Sequence, residues 1–353
     1  MTVASLARPE IASLSAYAAA TQANLTIRLN ANEMPSNANS AVDTELNRYP
    51  PVRPWKLRER LAEIYSVLAE QVLVTRGSSE AIDLLLRVFC RPAIDNIVIS
   101  TPTFGMYKVY ADIQGAEVRC INTSAGSDFA PDVCALLEAC DAATKLVFVC
   151  SPNNPTGNSI RSDDLLRLLR NRKGKSLVVV DEAYVEFTSK ESTVGLMARH
   201  ENLVVLRTMS KAYGLAAARV GSVIAEASVI ALLDSVMAPY AIATPIIELA
   251  LSALTGDRLA CTAAQIETLR AERRRLETAL PDCTDVERVW PSDANFLLVR
   301  FRNLAGVTRR LAEHRILIRD FSTDPGLHDC ARITIGSTDE NDLLLKALTN
   351  SDA

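Results

Sequence analysis

Lys211 lies in Arg207-Thr-Met-Ser-Lys-Ala-Tyr-Gly-Leu-Ala-Ala-Ala-Arg-Val-Gly221, between a hydroxyl-rich turn and an arginine. An amine of this kind can attack a carbonyl or carry a proton if its surroundings keep it poised. Alone, a loop lysine is ordinarily a solvated surface charge. Asp181, thirty residues upstream, changes that reading. Asn202-Leu-Val-Val-Leu206 and Ser176-Leu-Val-Val-Val-Asp181 have the length and β-branched content of buried strands, which puts lysine and carboxylate at the carboxyl ends of successive strands. Open α/β sheets hold their ligands in the crevice outside those ends, so the two groups can face one ligand.

Other short strings follow in order: Leu29-Asn-Ala-Asn-Glu33, Leu46-Asn-Arg-Tyr-Pro50, Thr75-Arg-Gly77, Pro102-Thr-Phe-Gly-Met-Tyr107, Cys150-Ser-Pro-Asn-Asn-Pro-Thr-Gly157, Asp181-Glu-Ala-Tyr-Val-Glu-Phe187, and Leu317-Ile-Arg-Asp320 with Arg332-Ile-Thr-Ile-Gly336. Together with Ser210-Lys211 and Arg219 they span nearly the whole chain. In this arrangement the sequence resembles the fold-type I aminotransferases that use pyridoxal phosphate, and among them the histidinol-phosphate branch.

The resemblance implies a role for each residue. Lys211 holds the cofactor's aldehyde and afterwards shuttles the proton of the substrate's Cα. Asp181 pairs with the ring nitrogen and keeps it protonated, while Tyr184 and Asn154 donate to the phenolic oxygen. Phe104, where the family more often has tyrosine, stacks on the ring. Ser78 and Ser79, at a glycine turn opening a helix, bind the cofactor phosphate with Ser210 and Arg219. Tyr49 reaches the phosphate of a neighbouring subunit, which implies a homodimer with shared active sites. Arg332 grips the carboxylate of glutamate or 2-oxoglutarate, Arg319 and Tyr17 hold the phosphate of histidinol phosphate, and Asn30 and Asn32 line the pocket. An aromatic amino-acid transaminase and a decarboxylase resembling threonine-phosphate decarboxylase are the alternatives on the same scaffold. One departure is Ala217, where glycine is usual; a left-handed backbone there would cost alanine about 1 kcal/mol.

The elements required to position these groups are legible. From Pro54 onward helical and strand patterns alternate, with all-apolar strands, which predicts an α/β fold: a large domain with a mostly parallel sheet covered by helices on both faces. Residues 1–50 read as an arm contributing to the small domain and the dimer site, 51–255 as the large cofactor-binding domain, and 256–353 as a smaller α+β carboxyl-terminal domain. A long helix over 258–280 bridges the two, and its run of Glu267, Arg270, Glu272, Arg273 and Arg274 reads as a solvated face. In the small domain, strands are expected at 295–301, 316–319 and 331–335.

With 38 Lys and Arg against 42 Asp and Glu in 353 residues, the chain has no basic field for nucleic acid or anionic lipid. Eight scattered cysteines read as reduced thiols, and three histidines without ligand spacing imply no metal site. The amino terminus lacks a basic segment followed by an apolar core, and residues 238–254 are too short and interrupted to span a bilayer. A soluble, cytoplasmic enzyme acting on small molecules is the expectation.

Overall fold

The computed structural model of the chain describes residues 2–14, 30–36 and 46–349. Its larger sheet contains β1 (Val72–Thr75), β2 (Asn96–Thr101), β3 (Glu117–Asn122), β4 (Thr144–Cys150), β5 (Leu177–Asp181), β6 (Leu203–Thr208) and β7 (Gly221–Ile224). Their order is β1-β7-β6-β5-β4-β2-β3, and only β7 runs against its neighbours, β1 and β6. The mostly parallel sheet expected from the strand pattern is therefore present.

Side chains alternate across this sheet as a period of two requires. Val147 and Val149 enter one apolar cluster; Leu146, Phe148 and Cys150 enter the other. The short helix α1 (Pro9–Ala12) precedes the sheet, and Ile11 packs against the second of these clusters. The first cluster is closed by α2 (Trp55–Tyr65), with Leu57 and Leu61 inward. The second is closed by α3 (Gly77–Phe89), with Ala81 and Leu85 inward, and by α4 (Met106–Gln114), with Tyr107 and Ala111 inward. Further along, α5 (Val133–Glu138) and α6 (Ser162–Arg172) join the first face, α7 (Ala227–Val236) the second, and α8 (Thr244–Ala253) the first. Both faces of β4, β5 and β6 are thus almost wholly removed from water, which is why they read as apolar runs.

Helix α9 (Gly256–Ala279) leads to a second sheet of β8 (Val286–Val289), β9 (Phe296–Phe301), β10 (Arg319–Asp320) and β11 (Cys330–Thr334), antiparallel in the order β10-β11-β9-β8. Leu297, Val299, Phe301, Ala331 and Ile333 pack its inner face against α9, α10 (Leu304–Glu313) and α11 (Thr338–Thr349). The strand expected over 316–319 shortens to Arg319–Asp320. Ile316 gives its N–H to Leu311 O (2.8 Å) in closing α10, so that residue serves the helix end and the ladder starts later.

The charged run on α9 also departs from the expected solvated face. Arg270 donates to the carbonyls of Glu186 (3.0 Å) and Phe187 (3.1 Å), and Arg273 to those of Ala294 (2.6 Å) and Phe187 (3.3 Å). Glu272 is buried, accepting from Arg275 and from Asn341 Nδ2 (2.8 Å). Turn carbonyls at the junction need donors once covered, and the long guanidinium side chains supply them. All eight cysteines are free thiols. Among the described residues no helix is long and apolar enough to cross a membrane.

Candidate active site

A cavity of about 560 Å³ lies at the carboxyl ends of β4, β5 and β6, with residues of the smaller sheet forming part of its wall. Lys211 and Asp181 line it together. So do Ser78, Ser79, Phe104, Asn154, Tyr184, Ser210, Arg219, Arg319 and Arg332. Tyr49, Asn30 and Asn32 are not among the lining residues. Asn30 and Asn32 lie in an exposed segment, and Tyr49, half exposed, stacks on Tyr240 with ring centroids 4.6 Å apart. Tyr17 lies outside the described residues.

Parallel register brings the chemistry together. Cys150 is the β4 partner of Asp181, and Asp181 the β5 partner of Leu206, so the loops after all three strands leave side by side. Asp181 is 2 % exposed; its Oδ2 accepts from the Tyr107 hydroxyl (2.8 Å) and its Oδ1 from Ala183 N–H (3.1 Å). Burial pushes its carboxyl up to about 6, against the lowering effect of those two hydrogen bonds. A carboxylate bearing such a penalty gains strongly from a cationic partner.

Lys211 presents an accessible face to the cavity, with its amine 5.7 Å from the centre of the Tyr184 ring. The protein packed around that amine, then Arg332 and Arg219, hold its pKa below the usual lysine value, with Asp181 opposing them. A larger neutral fraction makes a better nucleophile and base. Burial raises the Tyr184 hydroxyl pKa, so it stays a donor. Asn154 is buried, and its Oδ1 accepts from Arg332.

The turn carrying Tyr184 is braced from below. Arg207 of β6, itself buried, pairs with Glu182 (3.3 Å) and Glu186 (2.8 Å), on either side of Tyr184. Glu182 also accepts from Ser192 Oγ (2.6 Å) and Thr193 N–H (2.6 Å). From the other side, Phe296 meets Tyr184 edge-on at 5.1 Å.

At the same cavity α3 begins at Gly77, whose φ of 74° turns the chain from β1 into the helix. The first amides of a helix have no intrahelical acceptor and attract an anion. Glu80 does not compete, because it folds back onto Arg76 N–H (2.6 Å) and the Arg76 guanidinium. Arg219 Nη1 donates to Ser210 Oγ (3.1 Å), bringing a cation and a hydroxyl to the same end. It is Arg219, with φ 54°, that takes the left-handed backbone; Ala217 does not. The missing glycine at 217 therefore carries no strain.

Gly221 fits this cradle by lacking a side chain. A Cβ there would lie 2.5 Å from the Gly77 carbonyl carbon and 2.6 Å from Ser78 N. Both are backbone atoms, so Gly221→Ala must displace the turn. We expect it to weaken pyridoxal phosphate binding to the stripped protein at least tenfold and to cost about 1–3 kcal/mol of stability. Fluorescence titration and urea unfolding check this; wild-type affinity would show that the turn does not hold the phosphate.

Tyr107, which holds Asp181, and Cys150, which lines the cavity, carry no assigned role in the sequence reading. Tyr107 is fully buried, stacked on Phe148 at 4.8 Å and edge-on to Phe104 at 5.7 Å, and it orients Asp181. A tyrosine on the inward face of a helix, one turn before Ala111, must find a partner for its hydroxyl, and that was the signal available. Cys150 has its thiol pKa raised by burial, which makes it a neutral wall rather than a nucleophile.

On the small-domain wall, Arg319 of β10 and Arg332 of β11 are direct cross-strand partners. Like charges placed opposite one another destabilise a ladder. Among the described residues neither forms an ion pair with a carboxylate. Together they make a cavity wall suited to anionic groups.

Residues 14–348 match the family model of the class I and II aminotransferases. A histidinol-phosphate aminotransferase of Xanthomonas campestris pv. campestris is 44 % identical over 351 residues, covering 98 % of this chain and 97 % of that protein. Among solved structures, the histidinol-phosphate aminotransferase of Clostridium acetobutylicum shares the fold, with a TM-score of 0.78 and 24 % identity over 86 % of this chain and 90 % of its own. The L-threonine-O-3-phosphate decarboxylase of Porphyromonas gingivalis is 28 % identical, with a TM-score of 0.72, over 86 % of this chain and 90 % of its own.

Proposed function

Because the chain belongs to the class I and II aminotransferases, a family dependent on pyridoxal phosphate, we propose that it exchanges an amino group between histidinol phosphate and 2-oxoglutarate. The observation that carries this reading is the opposed pair Arg319 and Arg332, lining the same cavity as Lys211 without carboxylate partners among the described residues. A donor bearing phosphate and an acceptor bearing two carboxylates are substrates that such a wall recognises.

The residues present fit the cofactor. Asp181 suits a cationic ring nitrogen, Tyr184 and Asn154 suit an anionic ring oxygen, Phe104 suits a flat ring, and the α3 amino terminus with Ser78, Ser79, Ser210 and Arg219 suits a phosphate. When bound, the cofactor supplies an electrophilic aldehyde and an electron-withdrawing ring. Lys211 then has two tasks. Its amine would hold the aldehyde, and the same amine, when free, would take the proton from the substrate's Cα. Asp181 keeps its negative charge against the ring, and Tyr107 fixes that carboxylate's orientation. Arg332 holds a substrate carboxylate bidentately, and Arg319 holds the donor phosphate. Tyr49, exposed beside Tyr240, completes the site of a second copy in a homodimer.

The purified protein with histidinol phosphate and 2-oxoglutarate should form glutamate without carbon dioxide. Arg319→Gln should raise KM for histidinol phosphate about tenfold or more, leaving any activity on phenylalanine nearly unchanged. Carbon dioxide release would favour the decarboxylase reading, which the structural likeness to the threonine-phosphate enzyme supports. A better rate with phenylalanine would favour an aromatic transaminase.

A further inference from the structure

We infer that Phe321 is a positioning residue for the substrate-binding arginines, and that it sets recognition of the donor phosphate more than of the acceptor carboxylate. This rests on the reading above that Arg319 and Arg332 hold those two groups.

Strand geometry places the ring. Phe321 follows the end of β10 and lines the cavity with Arg319; its N–H bond to Cys330 O continues the ladder, which sets it diagonal to Arg332. Its ring centre lies 5.8 Å from the Arg319 guanidinium carbon and 5.6 Å from that of Arg332. One phenyl face region thus serves two cations. The ring is itself anchored: it packs against the buried cluster of Phe129, Trp290, Leu298, Leu327 and Cys330. Its backbone is tied by Phe321 N–H to Cys330 O (2.9 Å) and by Asp324 N–H to Phe321 O (2.9 Å).

The two arginines depend on it unequally. Arg332 also lies 5.1 Å from the Phe296 ring and donates to Asn154, so it keeps two supports if Phe321 is lost. Arg319 is exposed, and among the described residues Phe321 is the aromatic ring it meets. A flexible arginine facing another arginine would otherwise swing toward water. The aromatic face offsets that repulsion by drawing both guanidiniums to one surface.

The test compares Phe321→Ala, Phe321→Leu and Phe321→Tyr in the holoenzyme. Loss of the ring face should raise KM for histidinol phosphate about three- to tenfold in both the alanine and leucine variants. KM for 2-oxoglutarate should change less than about twofold and kcat hardly at all, while tyrosine restores wild-type behaviour. Calorimetry with inorganic phosphate gives a readout independent of turnover, and affinity should fall in the same order. A leucine variant with wild-type KM, or equal shifts for both substrates, would overturn the proposal. Arg319→Gln separates it from its premise. If that variant binds phosphate as tightly as wild type, the phosphate reading fails with it. If it binds weakly while Phe321→Ala binds normally, only the role of Phe321 falls.

Discussion

Lys211→Ala is expected to lower transamination at least about 10⁴-fold, because it removes the only amine lining the cavity among the described residues, the one group there able both to hold the aldehyde and to move the Cα proton. Around it, Arg219 and Arg332 are permanently charged, Tyr184 is held protonated by burial, and Cys150 is a neutral thiol beside Asp181. None can take over as a base near neutral pH. The loss should be catalytic rather than structural. Lys211 is accessible and its side-chain amine makes no hydrogen bond among the described residues, so truncation should leave stability within about 0.5 kcal/mol. Cofactor should still bind through the α3 amino terminus and Arg219, without the yellow colour that the lysine linkage confers. Absorbance, urea unfolding and single-turnover assays separate these effects. A variant retaining even a hundredth of the activity would remove Lys211 from the mechanism.

How much of this was legible in the sequence depended on range. Apolar runs such as those in Ser176–Asp181 and Asn202–Leu206 announced buried parallel strands, because both faces of such strands are covered and no polar alternation survives. From them the crevice holding Lys211 and Asp181 followed. β7 was invisible, as four residues beginning at a glycine carry no periodicity, and its reversed direction is decided by packing between β1 and β6. The pairing of Arg319 with Arg332 was hidden for another reason. Cross-strand register joins residues whose separation along the chain says nothing about distance, so two arginines that looked like independent ligands prove to be neighbours. The arginines of α9 misled because charge predicts exposure only where no buried carbonyl competes for the donor. Tyr107 stood inside a recognised string, yet its task depends on a carboxylate at the end of the third strand after it in sequence order.

Asp181→Asn should produce two opposite results, and their opposition is the test. In the holoenzyme, losing the negative charge removes what keeps the ring nitrogen protonated, and turnover should fall at least about a hundredfold. In the stripped protein the same change should stabilise the fold at neutral pH. The carboxyl pKa rises from an ordinary 3.8 to about 6 on folding, chiefly through burial. Between those values the native state binds more protons than the unfolded chain, so stability falls as pH climbs through the window, and the penalty is fully present above it. An amide has no such penalty, but it cannot accept from both Tyr107 and Ala183 N–H as the carboxylate does. Setting that loss of about 1 kcal/mol against the gain leaves the variant about 1–3 kcal/mol more stable near neutral pH. Most of the advantage should vanish as pH approaches 3.8. Urea midpoints of the two stripped proteins across this range give the comparison. If the asparagine variant were less stable at neutral pH, Asp181 would be a structural cap rather than a charge held at a cost for the cofactor.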